Sequence, residues 1–130
     1  MSNKEDLRIV LKKVGKIPEI MNIKNTLEAK QKLVGGLIEV ATVTDEILLV
    51  CNEEGKLLNM QPNLVFDYDY IAGNCFVIGD DYKRGDFRSL SFEEIEKYTK
   101  ELENRSFKYL ENKEYSLEEK QKEKSIWKET

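Results

Sequence analysis

The segment from Ile71 to Tyr98 constrains the fold more than any other part of this 130-residue chain. It begins with Ile71 to Gly79, where both alternating sets of residues are mostly apolar, a pattern typical of a central strand covered on both faces. The charged stretch Asp80 to Leu90 follows and is predicted to be a loop. Ser91 and Glu94 then have the spacing of a capping box, which predicts the start of a helix. The remaining elements are expected to be arranged around this strand and helix.

Two short extended runs near the N-terminus predict a β-hairpin. Leu7 to Val14 and Glu19 to Ile23 are the strands, and Gly15 with Pro18 marks the turn between them.

The next segment predicts the first helix. Asn25 is in the capping role, with Glu28 three residues further on, and the helix is expected to run through Val34. Gly35 and Gly36 end it, because glycine adopts the left-handed conformation of a helix C-terminus without steric cost.

Three further strands are predicted in the middle of the chain. They are Leu37 to Val43, the continuous apolar run Ile47 to Cys51, and Lys56 to Met60. Asn52 to Gly55 fits a four-residue type I turn, which predicts that the second and third of these strands form a hairpin.

The second helix is predicted to run from Phe92 to Asn104 with one apolar stripe. The residues of that stripe are Phe92, Ile95, Thr99 and Leu102. The whole pattern predicts an α+β domain, with a mainly antiparallel sheet and two packed helices.

Residues 1–104 are predicted to form a single domain, and residues 105–130 a charged C-terminal extension. Ser116 and Glu119 repeat the capping-box spacing, so the extension is expected to be helical. Trp127 has little apolar sequence around it. It is a candidate to dock on its own domain, on a second copy in a homo-oligomer, or on a target protein.

Composition excludes several classes of function. The net charge of -4 and the pI near 5.1 argue against a nonspecific nucleic-acid binder, which needs clustered Lys and Arg. The chain has no histidine, so Ser-His and Cys-His nucleophile pairs are absent, and with two cysteines no structural zinc site is expected. Cys51 and Cys75 lie in apolar runs and are expected to be reduced and buried. No apolar run has the length of a membrane span, so a cytoplasmic protein is expected. No cofactor is predicted.

The charged loop contains a candidate anion-binding site. Lys83, Arg84 and Arg88 are basic, and Tyr82 and Asn74 are close to them in the sequence. Arginine side chains suit phosphate oxygens, and a helix N-terminus follows the loop. The alternative is that Arg88 pairs with Asp86 or with an acidic residue of the following helix.

Carboxylates cluster at Asp67 and Asp69 and again at Asp80, Asp81 and Asp86. Such pairs can hold Mg²⁺, but aspartate is also a favoured loop residue that bonds its own backbone, so no metal site is expected. The acidic surface from Asp67 to Glu96 could instead cover a basic surface of a protein partner. In that case Asp80, Asp81 and Trp127 are the candidate partner-binding residues.

Three separated blocks of the sequence carry a family resemblance. They are LVGGLIEV at residues 33–40, LVCNEEGKLL at 49–58, and IAGNCFVIGDD followed by GDFRSLSFEEIEKY. Through them, the chain resembles the domain of unknown function family 3846 over about Leu7 to Leu102. The resemblance implies a bacteriophage or other mobile element as the source, and it brings no established catalytic residues.

The expected function is therefore that of a nonenzymatic phage or mobile-element protein in the host cytoplasm. It would act in counter-defence by sequestering a small anionic, nucleotide-type ligand. Two alternatives remain: an acidic inhibitor that masks a basic surface of a host protein, or an uncharacterised accessory protein.

Overall fold

A six-stranded antiparallel sheet is the centre of the protein, for which a computed structural model describes residues 6–107, 109–110 and 113–114. In chain order the elements are β1 (Asp6–Lys12), β2 (Glu19–Lys24), α1 (Leu27–Val34), β3 (Ile38–Thr44), β4 (Ile47–Asn52), β5 (Pro62–Val65), β6 (Tyr70–Ala72), β7 (Cys75–Asp81), β8 (Asp86–Arg88), α2 (Phe92–Asn104), β9 (Tyr109–Leu110) and β10 (Lys113–Glu114). The fold is α+β, as predicted, with a mainly antiparallel sheet and two helices.

The strand order β2-β1-β7-β4-β3 places β7 in the middle of the sheet and confirms that it is the central strand. The first half of β7 pairs with β1 and its last three residues pair with β8. Because β4 occupies the other edge of β7, strands β1 and β8 follow one another along the same edge. The prediction of one continuous strand from Ile71 to Gly79 is wrong, since Gly73 has a φ of 87° and separates β6 from β7.

The two helices pack on opposite faces of the sheet. α2 and the small antiparallel β5–β6 sheet cover one face, whose core residues include Val10, Leu49, Leu64, Val77, Ile95 and Leu102. α1 covers the other face, with Ile9, Leu11, Val34, Val50, Phe76 and Ile78 in its core. The central strands are apolar on both sides because each face of the sheet has its own hydrophobic core.

The helix caps confirm one prediction and correct another. At α2, Ser91 Oγ accepts from the Glu94 backbone N at 3.1 Å and Glu94 Oε1 accepts from the Ser91 N at 2.8 Å, a complete capping box. At α1 the N-cap is Thr26, which accepts from Ala29 N, and not Asn25. The side chain of Asn25 is instead held by Lys30 and Asp86. Gly35 ends α1 in the left-handed conformation, as predicted.

The buried stripe of α2 differs from the predicted one. Ile95, Tyr98 and Leu102 are buried, whereas Phe92 is 79% exposed and lies under the guanidinium group of Arg8. Phe92 is the first residue of the helix, and its side chain does not reach the core.

A predicted strand and a predicted loop are also wrong. Residues 53–59 form successive turns, so Lys56 to Met60 is not a strand paired with β4. The reason is that β4 already has β3 on one edge and β7 on the other. The predicted loop Asp80 to Leu90 is largely a β7–β8 hairpin closed by a turn at residues 82–85.

The chain continues to pack on the domain after α2. Arg105 and Phe107 are buried, and their backbones bond to β5 through Val65 N to Arg105 O and Phe107 N to Asn63 O. β9 and β10 form a short antiparallel pair at the start of the C-terminal extension. The helix predicted from Ser116 and the candidate residue Trp127 lie outside the described residues.

Candidate functional site

The turn of the β7–β8 hairpin brings together three of the predicted ligand-binding residues. Tyr82, Lys83 and Arg84 are consecutive, all exposed, and held by a bond from Arg84 N to Asp81 O. The Arg84 Nε lies 3.9 Å from Asp81 Oδ2. The predicted partner-binding residues Asp80 and Asp81 are half-buried at the end of β7. The turn is therefore a mixed-charge surface.

Arg88 is half-buried and paired with Glu94, which agrees with the alternative interpretation of this residue. Its two terminal nitrogens each donate to one Glu94 carboxylate oxygen at 2.9 Å, and they also donate to the backbone oxygens of Ser89 and Glu46. The hydrogen bonds from Arg88 lower the pKa of Glu94, and those to Glu94 raise the pKa of Arg88. An anionic ligand would have to displace Glu94 to reach this guanidinium group.

Asn74 lies far from the other predicted ligand-binding residues. It precedes β7, whereas Tyr82 follows it, and eight residues of extended chain span roughly 26 Å. The Asn74 Oδ1 accepts from Val14 N at 2.9 Å, and the residue lines a cavity of about 340 Å³ beside the end of α1. The structure does not bring Asn74 into one site with the hairpin turn.

Two of the clustered aspartates, Asp69 and Asp86, accept hydrogen bonds from neighbouring donors. Asp69 accepts from Lys56 and from Tyr70 N, and although partial burial opposes the effect, these bonds lower its pKa. Asp86 accepts from Asn25 at 3.0 Å and from Phe87 N, which lowers the pKa of Asp86. Within the described residues, no group of three or more His, Cys, Asp or Glu side chains is arranged to hold a metal ion.

A cavity of about 510 Å³ lies beside the edge strand β3. We call it the β3 groove. It is bounded by β3, the turns that follow β4, and the β5–β6 sheet, and its lining residues are Glu39, Ala41, Cys51, Asn52, Glu53, Glu54, Gly55, Lys56, Leu57, Asp69, Tyr70, Ile71 and Ala72. Its size is in the range of known binding pockets.

Strand register explains why β3 faces the groove. Glu39 pairs with Cys51 and Ala41 pairs with Leu49, so these side chains share the face that carries α2 and the β5–β6 sheet. That face of β3 is left open because α2 and β5–β6 pack nearer the middle of the sheet.

Asn52 and Gly55 fix the turn that forms the opposite wall. Asn52 donates to the Val34 backbone oxygen at 3.1 Å and accepts from Glu54 N at 2.7 Å. Gly55 lies so close to β6 that a Cβ there would be 2.5 Å from the carbonyl oxygen of Ala72. The groove wall is therefore held by the Asn52 side chain and by the close approach of Gly55 to β6.

The lining of the groove is acidic and partly apolar. It has four carboxylates and one ammonium group, a formal charge of -3, and the ammonium of Lys56 is bonded to Asp69. Leu57 is 82% exposed, and Tyr68, next to Asp69, is 88% exposed. Burial, and to a smaller extent the negative charge of the nearby Glu39, raise the pKa of Cys51 to about 11. The thiol is therefore protonated at neutral pH. The groove is suited to binding cations and apolar groups and is not suited to thiolate catalysis.

The sequence did not reveal this groove, because its walls come from segments more than thirty residues apart. Glu39 and Ala41 meet Ile71 and Ala72 only through the packing of β5–β6 on the sheet. The sequence pattern places Leu57 in a strand, but in the structure Leu57 lies in a turn and its side chain is exposed.

Lys12 is a second feature that the sequence did not reveal. Its side chain is 1% exposed and donates to two neutral oxygens, Asn63 Oδ1 and Lys13 O, both at 2.9 Å. Burial lowers the pKa of Lys12. Asn63 in turn donates to the backbone oxygens of Lys12 and Gly73, so this cluster fastens β5 to the sheet. Lys12 is two residues from the buried Val10 in β1, so their side chains lie on the same face of the strand. This alternation is the feature of the sequence that could have predicted the burial of Lys12.

These features define a small three-layer α+β domain with an acidic groove at one sheet edge. The model of the family described as domain of unknown function (DUF3846) matches residues 7–103, so the chain belongs to this family and the resemblance is confirmed. No curated protein and no solved structure matches the chain. Neither helix among the described residues is long and apolar enough to cross a membrane.

Proposed function

We propose that this domain is a nonenzymatic binding protein whose β3 groove holds a basic surface of a partner protein. The observation that supports the proposal is the groove itself, a concave site lined by Glu39, Glu53 and Glu54 with an apolar floor. Such a lining attracts Lys and Arg side chains, and complementary charge favours both the rate and the specificity of association. In the phage or mobile-element setting that the family resemblance implies, the partner is a host protein and binding opposes a defence system.

Exposed apolar side chains beside the groove favour a protein partner over a small cation. Leu57 and Tyr68 have almost fully exposed side chains next to the acidic lining. Aromatic and large aliphatic residues are the groups that bury most area when two proteins associate. A partner that covers both residues and reaches into the groove would use the charged and the apolar surface together.

The test is affinity capture from a bacterial host lysate with charge-reversal variants. The double variant Glu39→Lys with Glu53→Lys alters the groove, and Glu19→Lys with Glu103→Lys makes the same charge change at exposed positions elsewhere. We expect a partner protein that the wild type and the control variant retain equally. The groove variant should bind it at least about tenfold more weakly, because two attractive contacts become repulsive.

Salt dependence gives an independent readout. Raising the salt concentration from about 0.05 M to about 0.5 M should weaken the complex, because screening shortens the range of the carboxylate field. Equal retention by both double variants, or a complex indifferent to salt, would contradict the proposal.

Capture of a small anionic, nucleotide-type ligand by the β7–β8 hairpin is the second candidate function. It is favoured by the placement of Tyr82, Lys83 and Arg84 in one exposed turn. The measurement is a thermal shift with cyclic nucleotides and ADP-ribose, and Lys83→Ala should remove the shift without changing the unliganded protein. The absence of any shift across these compounds would eliminate this candidate. Arg88 is a poor position for the test, because its loss also removes the contact with Glu94.

A further inference from the structure

Among the described strands, none pairs with the outer edge of β3. β3 is the last strand on its side of the sheet, and in the part of the chain that the structure describes it pairs with β4 alone. Alternate residues of an edge strand direct their backbone N–H and C=O groups away from the sheet, where another strand can bond to them. The edge is seven residues long, or roughly 23 Å.

The β3 groove lies on one side of this open edge. Glu39 and Ala41 of β3 are themselves part of the groove lining. A strand added beside β3 would direct every second side chain toward this same face of the sheet. β2, the edge strand on the other side of the sheet, contributes no residue to either cavity.

We propose that a basic extended segment of the partner protein adds to β3 as a further strand and directs alternate Lys or Arg side chains into the β3 groove. This inference rests on the proposed function and specifies how the partner is held. Backbone bonds to β3 would supply affinity, and the groove would select the side chains, as in other cases of strand addition. The aliphatic stems of Lys or Arg would lie on Ala41 and Ile71, with their charged ends near Glu39 and Glu53.

Charge distinguishes this occupant from a second copy of the chain. Two copies joined through β3 would bring two linings, each with a formal charge of -3, to the same sheet edge. Like charges at such a short distance repel, whereas a basic segment neutralises the lining.

A defined peptide tests the proposal directly. The probe is the acetylated and amidated peptide Lys-Val-Lys-Val-Lys-Val-Lys, and its binding to the full chain is followed by backbone amide shifts in NMR spectra. We expect the largest shifts at Glu39 to Val43 and the groove residues. The matched peptide Glu-Val-Glu-Val-Glu-Val-Glu should bind at least about tenfold more weakly.

Two N-methylated forms of the lysine peptide separate strand addition from charge attraction. One form is methylated at the Lys residues and the other at the Val residues, so each loses the N–H groups of one edge while keeping its charge. Strand addition predicts that one form binds like the parent and the other loses at least about tenfold in affinity.

Several outcomes would overturn strand addition. They are equal binding of both methylated forms, shifts centred on β2, no binding of the parent peptide, or self-association of the chain through β3 in sedimentation. Equal binding of both forms, when combined with loss of binding in the Glu39→Lys, Glu53→Lys variant, would leave the acidic groove as a binding site and remove only the added strand. The proposed function fails separately, if the captured partner is retained equally by the groove and control variants.

Discussion

The β7–β8 hairpin and the β3 groove are both rich in charged side chains, but both arginines of the hairpin have acidic partners, whereas in the groove carboxylates outnumber the basic side chain. In the hairpin Arg88 is bonded to Glu94, and Arg84 lies beside Asp81. In the groove the carboxylates outnumber the single ammonium of Lys56, which is itself bonded to Asp69. A run of charges in a sequence therefore does not identify a binding site, because tertiary contacts determine which charges remain available to a partner.

The largest expected effect is a difference in the free energy of unfolding between a substitution in the wall of the groove and one in the hairpin turn. Gly55→Ala places a Cβ 2.5 Å from the backbone oxygen of Ala72, which no side-chain rotation can relieve, so we expect a loss of about 2–3 kcal/mol in the free energy of unfolding. Gly85 has a φ of 67° and open space around it, and Gly85→Ala should cost about 1 kcal/mol for the left-handed conformation alone. Urea denaturation measures both values. Equal losses would mean that the groove wall is not held as the structure indicates.

The next effect tests whether the hairpin arginines are structural. Arg88→Ala removes a two-bond ion pair and should lower the free energy of unfolding by about 1–2 kcal/mol, whereas Arg84→Ala should change it by less than about 0.5 kcal/mol. The Glu94 pKa is lowered in the folded state. The contribution of the Arg88–Glu94 pair to the free energy of unfolding is therefore complete above pH 4.5, the ordinary pKa of a glutamate, and is lost as the pH falls through the lowered pKa.

The arginine effect should therefore diminish in acid. Thermal denaturation of the two variants at pH 7 and at about pH 3 provides the comparison. If Arg88→Ala has no effect on unliganded stability at pH 7, then Arg88 is available for ligand binding and the contrast with the groove disappears.

A smaller effect is expected where β5 is fastened to the sheet. Lys12→Met removes a buried ammonium together with its two hydrogen bonds, and since these effects oppose one another the stability at pH 7 should change by no more than about 1 kcal/mol. The folded-state pKa of Lys12 lies below 10.5, so the folded protein binds fewer protons than the unfolded chain between these values, and stability rises with pH there.

The stability of the wild type relative to Lys12→Met should consequently increase as the pH is raised toward 10.5. Paired urea denaturations at several pH values remove the contribution of other titrating groups. A difference that does not change with pH would show that Lys12 is not buried as an ammonium in the folded protein.

The last prediction concerns the rate at which a thiol in the groove floor is chemically labelled. At pH 8 the Cys51 thiol, with a pKa of about 11, is about one thousandth ionised, so iodoacetamide should label it much more slowly than a free thiol. The buried Cys75 provides a second unreactive thiol, and both should react after unfolding in urea. Rapid labelling of Cys51 in the native protein would show that the groove opens more widely than the structure indicates.

The sequence predicted the parts of the fold that depend on neighbouring residues. The capping box of Ser91 and Glu94, the end of α1 at Gly35, and the β1–β2 hairpin all form as expected, because each is set by interactions within a few residues. The burial of the central strand was also predictable, since its pattern is apolar on both faces. The same local patterns failed at Asn25 and Phe92, where distant residues compete for the side chain or leave it uncovered.

Long-range packing determined the remaining structure and the whole of the β3 groove. Lys56 to Met60 could not pair with β4, because both edges of β4 were taken by strands that lie before it and after it in the chain. The sequence allows Arg88 to pair either with Asp86 or with an acidic residue of the following helix. It pairs with Glu94, because the packing of α2 beside β8 brings that carboxylate to the guanidinium group. Glu39 and Asp69 line one cavity although thirty residues separate them, since the β5–β6 sheet folds back over β4. The sequence by itself determined both helices and most strands of the main sheet, because these follow from local patterns, and the tertiary structure decided which charged side chains are neutralised and which remain open to a partner.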